Sequence, residues 1–249
     1  MEDVSKTLFF TLCSRALDDS FFDPLATKIL AKNENFMEFR PNLMAQKLIV
    51  HRARYFDAQV KRAWIKNNKS PLLLINLGGG LCSRFDRVKN MLCDSIHLDL
   101  PEVINLVKST FPISANHLIE ADLNQTKWVG DIKRLIKNDS VPIFTLEGVS
   151  MYLEKQAFLN IFRELTKYLD KGFFVCDFLH PFFVNKSFLV SDVSNVNADF
   201  TTGVASVDEI LQVSSKLEIN HYKFPMGISR LPQVFPFNLY QFATFSWGA

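Results

Sequence analysis

Residues 72–82 read LLLINLGGGLC, a short apolar run followed at once by three glycines. The run Leu72–Leu77 is typical of a strand that is covered on both faces of a parallel sheet. Only 9 of the 249 residues are glycine, yet Gly78, Gly79 and Gly80 stand together after this strand. Because glycine adopts positive φ readily and lets a ligand approach the backbone, the run predicts either a tight turn or a binding loop.

Six further apolar runs of strand length follow this one, and helix-length segments separate most of them. Strand and helix alternating at this spacing predict an α/β fold of three layers with a largely parallel, seven-stranded sheet. The predicted strands after the first are residues 95–98, 117–120, 142–146, 173–178, 217–222 and 239–245, and the clearest helices are residues 102–110, 128–137 and 155–169.

The residues before the first strand read as helical, with Asp23 as an N-cap and Pro24 at the first helical position. We therefore expect an N-terminal helical cap over residues 1–68 that contributes to the binding site, joined in one structural unit to an α/β core over residues 69–249. Within the core, residues 185–202 are rich in Asn, Ser and Asp, which predicts a lid-like insertion over the site.

Composition excludes several classes of function. The chain carries 28 Lys and Arg against 26 Asp and Glu, with a formal net charge of +2 and no long run of like charges. This balance argues against nucleic acid and a membrane surface as partners. The 4 cysteines form no CxxC pair, so neither a metal site nor a disulfide framework is indicated. With no secretory signal or membrane-length apolar segment either, we expect a cytoplasmic location.

Polar residues that follow each apolar run are informative, because ligands of open parallel sheets bind beyond the carboxyl ends of the strands. Asp99 follows the second predicted strand, Asp122 the third and Glu147 the fourth. Each has a structural alternative, with Asp99 capping the helix at Pro101, Asp122 capping a turn and Glu147 lying in solvent. Acids at successive strand ends of one sheet edge instead predict a nucleoside-binding site.

The residue types also discriminate between nucleosides. A dinucleotide loop has a third glycine where Ser83 stands here, and acids at both ends of the site would repel a pyrophosphate. They suit a ligand with ribose hydroxyls, an amine, an ammonium and a sulfonium, which describes S-adenosylmethionine (SAM). The alternatives are an NAD(P)-dependent Rossmann oxidoreductase and a catalytically silent relative that binds SAM or a protein partner.

Several ordered segments are shared with a known family. The most specific are DLPEV at 99–103 and EGVSMYL at 147–153, whereas NLGGGL at 76–81 occurs in many methyltransferases. The others are SRA at 14–16, DPLA at 23–26, RARYFD at 52–57 and ADL at 121–123. Together they resemble the leucine carboxyl methyltransferase family, within which the bacterial polyketide O-methyltransferase-like, tetracenomycin-type branch is nearest. The resemblance implies a Rossmann-like class I methyltransferase that converts SAM to S-adenosylhomocysteine (SAH) without a metal.

The resemblance implies roles for individual residues at the methionine end of the cofactor. Arg52, which by itself reads as a solvated helix charge, would pair with the methionine carboxylate. Gly78 and Gly80 would let the loop backbone pass under the methionine. Glu147, with Gly148 after it, would lie near the ammonium group.

At the nucleoside end, the resemblance implies that Asp99, with Leu100 beside it, holds the ribose hydroxyls. Asp122 and Leu123 would recognise adenine. The chain departs from the family pattern after the glycine loop, where the family often carries Asp and Cys82 stands here.

The implied reaction is transfer of the SAM methyl group to a carboxylate or hydroxyl oxygen. A carboxylate needs no base, whereas a hydroxyl needs one within reach, for which Tyr152 and His180 are candidates. His180, which precedes Pro181, also reads as a structural histidine. We expect a small-molecule acceptor, with a protein C-terminal carboxylate as the alternative. The phenylalanines that flank the predicted insertion are expected either to fill the core or to line an acceptor pocket: Phe182, Phe183, Phe188 and Phe200.

Overall fold

The computed structural model describes residues 3–137, 140–186, 200–223 and 240–248. The strands are β1 (Leu72–Leu77), β2 (Leu92–Asp99), β3 (His117–Glu120), β4 (Val141–Leu146), β5 (Gly172–Leu179), β6 (Glu218–Lys223) and β7 (Tyr240–Trp247). The α-helices are α1 (Asp3–Ala16), α2 (Pro24–Lys32), α3 (Leu43–Lys66), α4 (Arg84–Val88), α5 (Pro101–Thr110), α6 (Trp128–Leu135), α7 (Lys155–Tyr168) and α8 (Val207–Leu211). Short 3-10 helices lie at Glu34–Phe39, Lys89–Met91, Ser150–Tyr152 and Pro181–Phe183.

The seven strands form one sheet in the order β3-β2-β1-β4-β5-β7-β6. Strands β1 to β5 pair in parallel, whereas β7 runs antiparallel to both β5 and β6. All of β1 is buried, as expected for a strand with helices on both sides of the sheet. The predicted Rossmann-like architecture with a mainly parallel seven-stranded sheet and an N-terminal helical extension is confirmed.

Most element boundaries follow from local sequence signals. Asp23 accepts a hydrogen bond from Ala26 N at 3.1 Å and Pro24 opens α2, so the predicted helix start is confirmed. Strand β2 begins at Leu92, earlier than predicted, because its first residues are exposed or half-buried and lack an apolar signature. Helices α4 and α8 were not predicted, since five-residue helices carry too little periodic signal.

Two hydrophobic clusters cover the sheet, one on each face. Leu73, Ile75 and Leu77 belong to one cluster, whereas Leu72 and Leu74 belong to the other, which follows from the alternation of side chains along a strand. A third cluster joins α1 and α2 to α5 and to the residue after the glycine loop. Its buried members are Phe9, Leu12, Ala26, Ile29, Leu81, Val107 and Phe111.

The predicted division of the chain has a helical cap, an α/β core and a lid-like insertion within the core. The boundary between helical cap and core near residue 68 stays a prediction. Of the predicted insertion, residues 187–199 lie outside the described residues. At its edges, Asn185 N donates to Phe200 O at 3.0 Å. Within the described part of the chain, no helix is long and apolar enough to cross a membrane.

Phe174 is a test of the core on one face of the sheet. It is fully buried, and its ring lies 4.4 Å from that of Phe162 and 6.2 Å from that of Phe144. We expect Phe174→Ala to lower the free energy of unfolding by about 3–5 kcal/mol, measured by urea denaturation. Phe22→Ala is the matched control: Phe22 is 84% exposed, so the change there should stay below about 0.5 kcal/mol. Equal losses in the two variants would contradict this assignment of the core.

Candidate active site

A cavity of about 260 Å³ lies at the carboxyl edge of the sheet, where β1 and β4 are neighbours. Its lining comes from the ends of β1, β4 and β5, from the start of the antiparallel β7, and from α1 and α3. The helical cap and the α/β core therefore line the same space. The charged side chains among the lining residues are Arg15, Arg52, Arg84 and Glu147.

The glycine loop lines this cavity and leaves no room for side chains. Gly78 has φ +61° and Gly80 has φ +53°, values that other residues rarely adopt. A Cβ on Gly78 would lie 2.8 Å from Val149 Cγ2, and one on Gly80 would lie 2.7 Å from Leu8 Cδ2 in α1. The turn interpretation is thus confirmed, and because the loop also lines the cavity, its role as a binding loop stays a prediction.

Asp99, at the end of β2, holds the glycine loop in place. Its Oδ2 accepts a hydrogen bond from Gly80 N at 2.7 Å, and its Oδ1 accepts one from Leu100 N at 2.8 Å. Because Leu100 is the N-cap residue of α5, the alternative that Asp99 caps this helix is wrong. Burial raises the pKa of Asp99 to about 6, although the two amides oppose the shift. Asp99 and Leu100 are not among the cavity-lining residues, so the predicted ribose subsite would lie beside the cavity.

Eight charged side chains of alternating sign form a continuous series beside the cavity, which we call the ion-pair chain. Successive N–O distances in it include 2.6 Å from Arg87 to Asp57 and 3.7 Å from Arg52 to Asp177. Charges as buried as these need partners of opposite sign, and the alternation supplies them. In order from α1 to β5, the members are Arg15, Asp23, Arg87, Asp57, Arg84, Glu147, Arg52 and Asp177.

Glu147 lies between two arginines of the ion-pair chain. Arg52 Nε donates to its Oε1 at 3.1 Å, and Arg84 Nη2 donates to its Oε2. Burial raises the pKa of Glu147, but Arg84 and Arg52 outweigh burial and lower it to about 2. The Arg52 and Glu147 side chains are each 14% exposed, so the interpretations of both as solvated charges are wrong.

Gly148 explains how Arg52 reaches this position. The glycine has φ +68°, and a Cβ there would lie 2.7 Å from Arg52 Nη1. The guanidinium therefore packs against a bare backbone before it meets Glu147. Arg52 Nη1 also donates to the hydroxyl of Tyr240 at 3.3 Å. Although burial lowers the pKa of Arg52, Tyr240 and the nearby carboxylates raise it well above its usual value.

The structure separates the two predicted catalytic candidates. Tyr152 lines the cavity, and burial raises its pKa to about 12, although Arg52 opposes the shift. His180 is not among the cavity-lining residues. Its Nδ1 accepts a hydrogen bond from Phe182 N at 3.2 Å, at the start of a 3-10 helix, as the structural interpretation of this histidine predicts. The assignment of either residue as a base stays a prediction.

The predicted adenine residues lie outside the cavity lining. Asp122 Oδ1 accepts a hydrogen bond from Asn124 N at 2.9 Å, so the turn interpretation of Asp122 holds. Leu123 is buried, and its Cδ1 lies 3.5 Å from where a Cβ on Gly78 would be. Leu123 therefore packs against the glycine loop, and the contact of Asp122 and Leu123 with adenine stays a prediction.

Sequence reasoning missed three residues of this region. Arg84 lies on the short α4, and Tyr240 begins the antiparallel β7. Asp177 is a single carboxylate in β5, which is otherwise apolar and buried throughout. For Asp177 a signal was present, because a charge within a fully buried strand must have a partner.

Two of the phenylalanines that were expected either to fill the core or to line an acceptor pocket lie at the cavity. Phe183 and Phe200 line the cavity, whereas Phe188 lies outside the described residues. The Phe200 ring lies 5.8 Å from that of Tyr152. In the described part of the chain, no group of three or more His, Cys, Asp or Glu side chains could hold a metal ion.

The sheet order, the antiparallel β7 and the glycine loop after β1 give the chain the Rossmann-like fold of class I methyltransferases. The sequence profile described as leucine carboxyl methyltransferase matches residues 11–166. The chain belongs to the leucine carboxyl methyltransferase family. A search of curated protein sequences finds no significant match.

Two solved methyltransferases with TM-scores above 0.5 share the fold of this chain at low sequence identity. The plantazolicin methyltransferase BamL, solved with SAH and a triazolic analogue, gives a TM-score of 0.56 at 9% identity over 99% of this chain and 98% of that one. Magnesium protoporphyrin IX methyltransferase from Synechocystis PCC 6803, with bound SAH, gives 0.54 at 12% identity over 89% and 94%. Against LepI in complex with SAM, the score is 0.43 at 14% identity over 72% of this chain, which spans 43% of LepI's length.

The raised pKa of Asp99 predicts a pH dependence of cofactor binding. If Asp99 holds the ribose hydroxyls, its ionised form accepts their hydrogen bonds, whereas protonation removes the negative charge and takes up part of its acceptor capacity. We therefore expect the Kd for SAH, measured by calorimetry between pH 5 and 8, to rise as the pH falls below about 6, approaching about tenfold per pH unit. Asp99→Asn should bind more weakly with a flatter profile. An unchanged slope in that variant would assign the dependence to another group.

Gly78 is the loop position where a side chain should be least tolerated. Gly78→Val adds a clash with Val149 to an unfavourable φ, so we expect loss of measurable SAH binding by a chain that stays folded by circular dichroism. Gly130→Val is the matched control, because a Cβ at Gly130 in α6 meets nothing within 4 Å. Wild-type affinity in Gly78→Val would contradict the loop assignment.

Proposed function

We propose that the protein transfers the methyl group of SAM to an oxygen atom of a small, largely apolar acceptor. The observation that carries this proposal is that one cavity is lined by a few charged side chains, Arg52 and Glu147 among them, and by many apolar ones. The apolar lining residues are Leu8, Phe10, Ala45, Leu48, Ile49, Leu77, Leu81, Val149, Met151, Leu179, Phe183 and Phe200.

The charged residues suit the amino-acid end of the cofactor. Arg52 uses Nε and Nη1 within the protein, and Nη2 is the nitrogen to which the described residues give no hydrogen bond, so it suits the methionine carboxylate. Glu147, with a pKa of about 2, keeps its charge and suits the ammonium. Asn76 also lines the cavity, and its buried Nδ2 has no hydrogen-bond partner within the described residues, which offers a further donor.

When bound, SAM supplies an electrophilic methyl group on a sulfonium. The residues of the chain orient the acceptor oxygen and exclude water, and the apolar lining supports both tasks. Tyr152, with a pKa of about 12, is a neutral phenol that can donate a hydrogen bond to the acceptor but is not a base near neutral pH. Glu147 is too weak a base for the same step. This chemistry favours an acceptor that ionises without help, a carboxylate or an acidic phenol, over an aliphatic alcohol.

The size of the cavity favours a small molecule over a protein C-terminus. The volume of about 260 Å³ lies just below the range of about 300–1,000 Å³ that is usual for small-ligand sites. The rings of Tyr152, Phe183 and Phe200 would contact a flat or acyl group beside the reacting oxygen. A protein C-terminal carboxylate would need to enter the same apolar space, and it remains the alternative acceptor.

Of the other two functional alternatives, one does not fit the family and the other needs an experiment. An NAD(P)-dependent oxidoreductase does not fit the family, and Ser83, where a dinucleotide loop has glycine, is buried and donates a hydrogen bond to Asp23. A catalytically silent relative would keep the SAM site and lack turnover. The methyl-transfer experiment distinguishes this relative from an active enzyme.

We expect the wild-type protein, incubated with methyl-labelled SAM and a cell extract, to place label in the small-molecule fraction. Mild alkali should release the label as methanol if a carboxylate was methylated and leave it in place if a phenol was. The Gly78→Val variant is the control, since it should transfer nothing. Label in the protein fraction would favour a C-terminal acceptor. SAH binding without any transfer would favour the silent relative.

A further inference from the structure

Asp177 makes a set of contacts that the proposed function does not use. Its side chain, on β5, is fully buried. Oδ1 accepts a hydrogen bond from Gly148 N at 2.7 Å, while Oδ2 accepts one from the Tyr240 hydroxyl and lies 3.7 Å from Arg52 Nη1. Its backbone oxygen accepts from Ser150 Oγ at 2.7 Å. One residue thus contacts three other segments of the chain.

Two of these contacts hold the segment that follows β4. Gly148 is bonded directly to the carboxylate of Asp177, and Glu147 is the residue before it. Ser150 begins the 3-10 helix that ends at Tyr152. The positions of Glu147 and Tyr152 at the cavity therefore depend on a backbone segment that Asp177 ties to β5.

The other two contacts, made by Oδ2, act on Arg52 at Nη1, whereas Glu147 binds Nε of the same guanidinium. Tyr240 lines the cavity, donates its hydroxyl proton to Asp177 and accepts a hydrogen bond from Arg52 Nη1 at 3.3 Å. Because that proton is committed to Asp177, the phenol oxygen faces Arg52 as an acceptor. The guanidinium is thus held between Glu147 and the Tyr240–Asp177 pair.

We infer that Asp177 is a positioning residue for the amino-acid end of the cofactor site, acting through Tyr240 on Arg52 and through Gly148 on Glu147. This role rests on the proposed function, because it takes Arg52 and Glu147 as the groups that hold the methionine carboxylate and ammonium. Asp177 itself touches neither. Its removal should weaken ligands that carry an amino-acid group and spare those that lack one.

The test compares SAH with 5′-methylthioadenosine, which shares the nucleoside but lacks the amino-acid group. In calorimetry with the full chain, we expect Asp177→Asn to raise the Kd for SAH about tenfold or more, as for loss of hydrogen bonds to a charged group. The Kd for methylthioadenosine should change less than about twofold, within the range of substitutions that leave a site intact. Tyr240→Phe should show the same selectivity with a smaller effect.

Tyr55→Phe is the matched control for Tyr240→Phe. Tyr55 is also buried and hydrogen-bonded, to His221 and Thr244 at 3.2 Å each, but it is not among the cavity-lining residues. Wild-type affinity for both ligands is expected in this variant. Adding Asp177→Asn to Arg52→Gln should weaken SAH less than the two single effects combined, because the first change acts through Arg52.

The outcomes separate this role from the proposed function. Equal weakening of both ligands, or no weakening of SAH, would overturn the positioning role. Full additivity with Arg52→Gln would also overturn the route through Arg52. A wild-type protein that binds neither ligand would instead overturn the proposed function. If Asp177→Asn does not fold, Tyr240→Phe against Tyr55→Phe decides the question with the same two ligands.

Discussion

The ion-pair chain is the interaction on which the rest of the molecule depends. Its eight side chains come from α1, the N-cap of α2, α3, α4, the residue after β4, and β5. A buried charge without a partner costs several kcal/mol, so each of these elements must dock for its neighbours to be satisfied. The helical cap is therefore tied to the sheet by electrostatic pairing as well as by the apolar contacts of its helices.

The same requirement shapes the proposed cofactor site. Arg52 and Glu147 belong to the ion-pair chain and also line the cavity, so the groups available to a ligand are already held in place by their neighbours. Groups held in this way need little rearrangement when a charged ligand arrives. The glycine loop obeys a related constraint, because Asp99 bonds Gly80 N and the packing around the loop excludes side chains.

Sequence patterns predicted some strand boundaries and strand-end residues, but not the direction of a strand or the contacts of a side chain. The strands β1 and β3 have the predicted bounds, because each is a short run set between polar or turn residues. Strand-end acids could be collected in advance, since parallel strands present their carboxyl ends at one edge. The antiparallel direction of β7 could not, because an apolar run reads the same for either direction. The partner of Asp99 could not be predicted either. Asp99 resembled a cap for α5, but its side chain accepts a hydrogen bond from the glycine loop.

Local pattern was enough to establish the Rossmann-like class, the family, the glycine loop and the acids at the strand ends, because periodicity and motif spacing are written in neighbouring residues. The pairing of charges was decided only by the fold. Glu147 meets Arg52 across 95 residues and Arg84 across 63, and no local signal specifies such partners. The same holds for the contacts of Asp177 and Tyr240 and for the position of His180 outside the cavity lining. Those positions depend on how the helices and strands pack, because only packing brings distant charged side chains into contact.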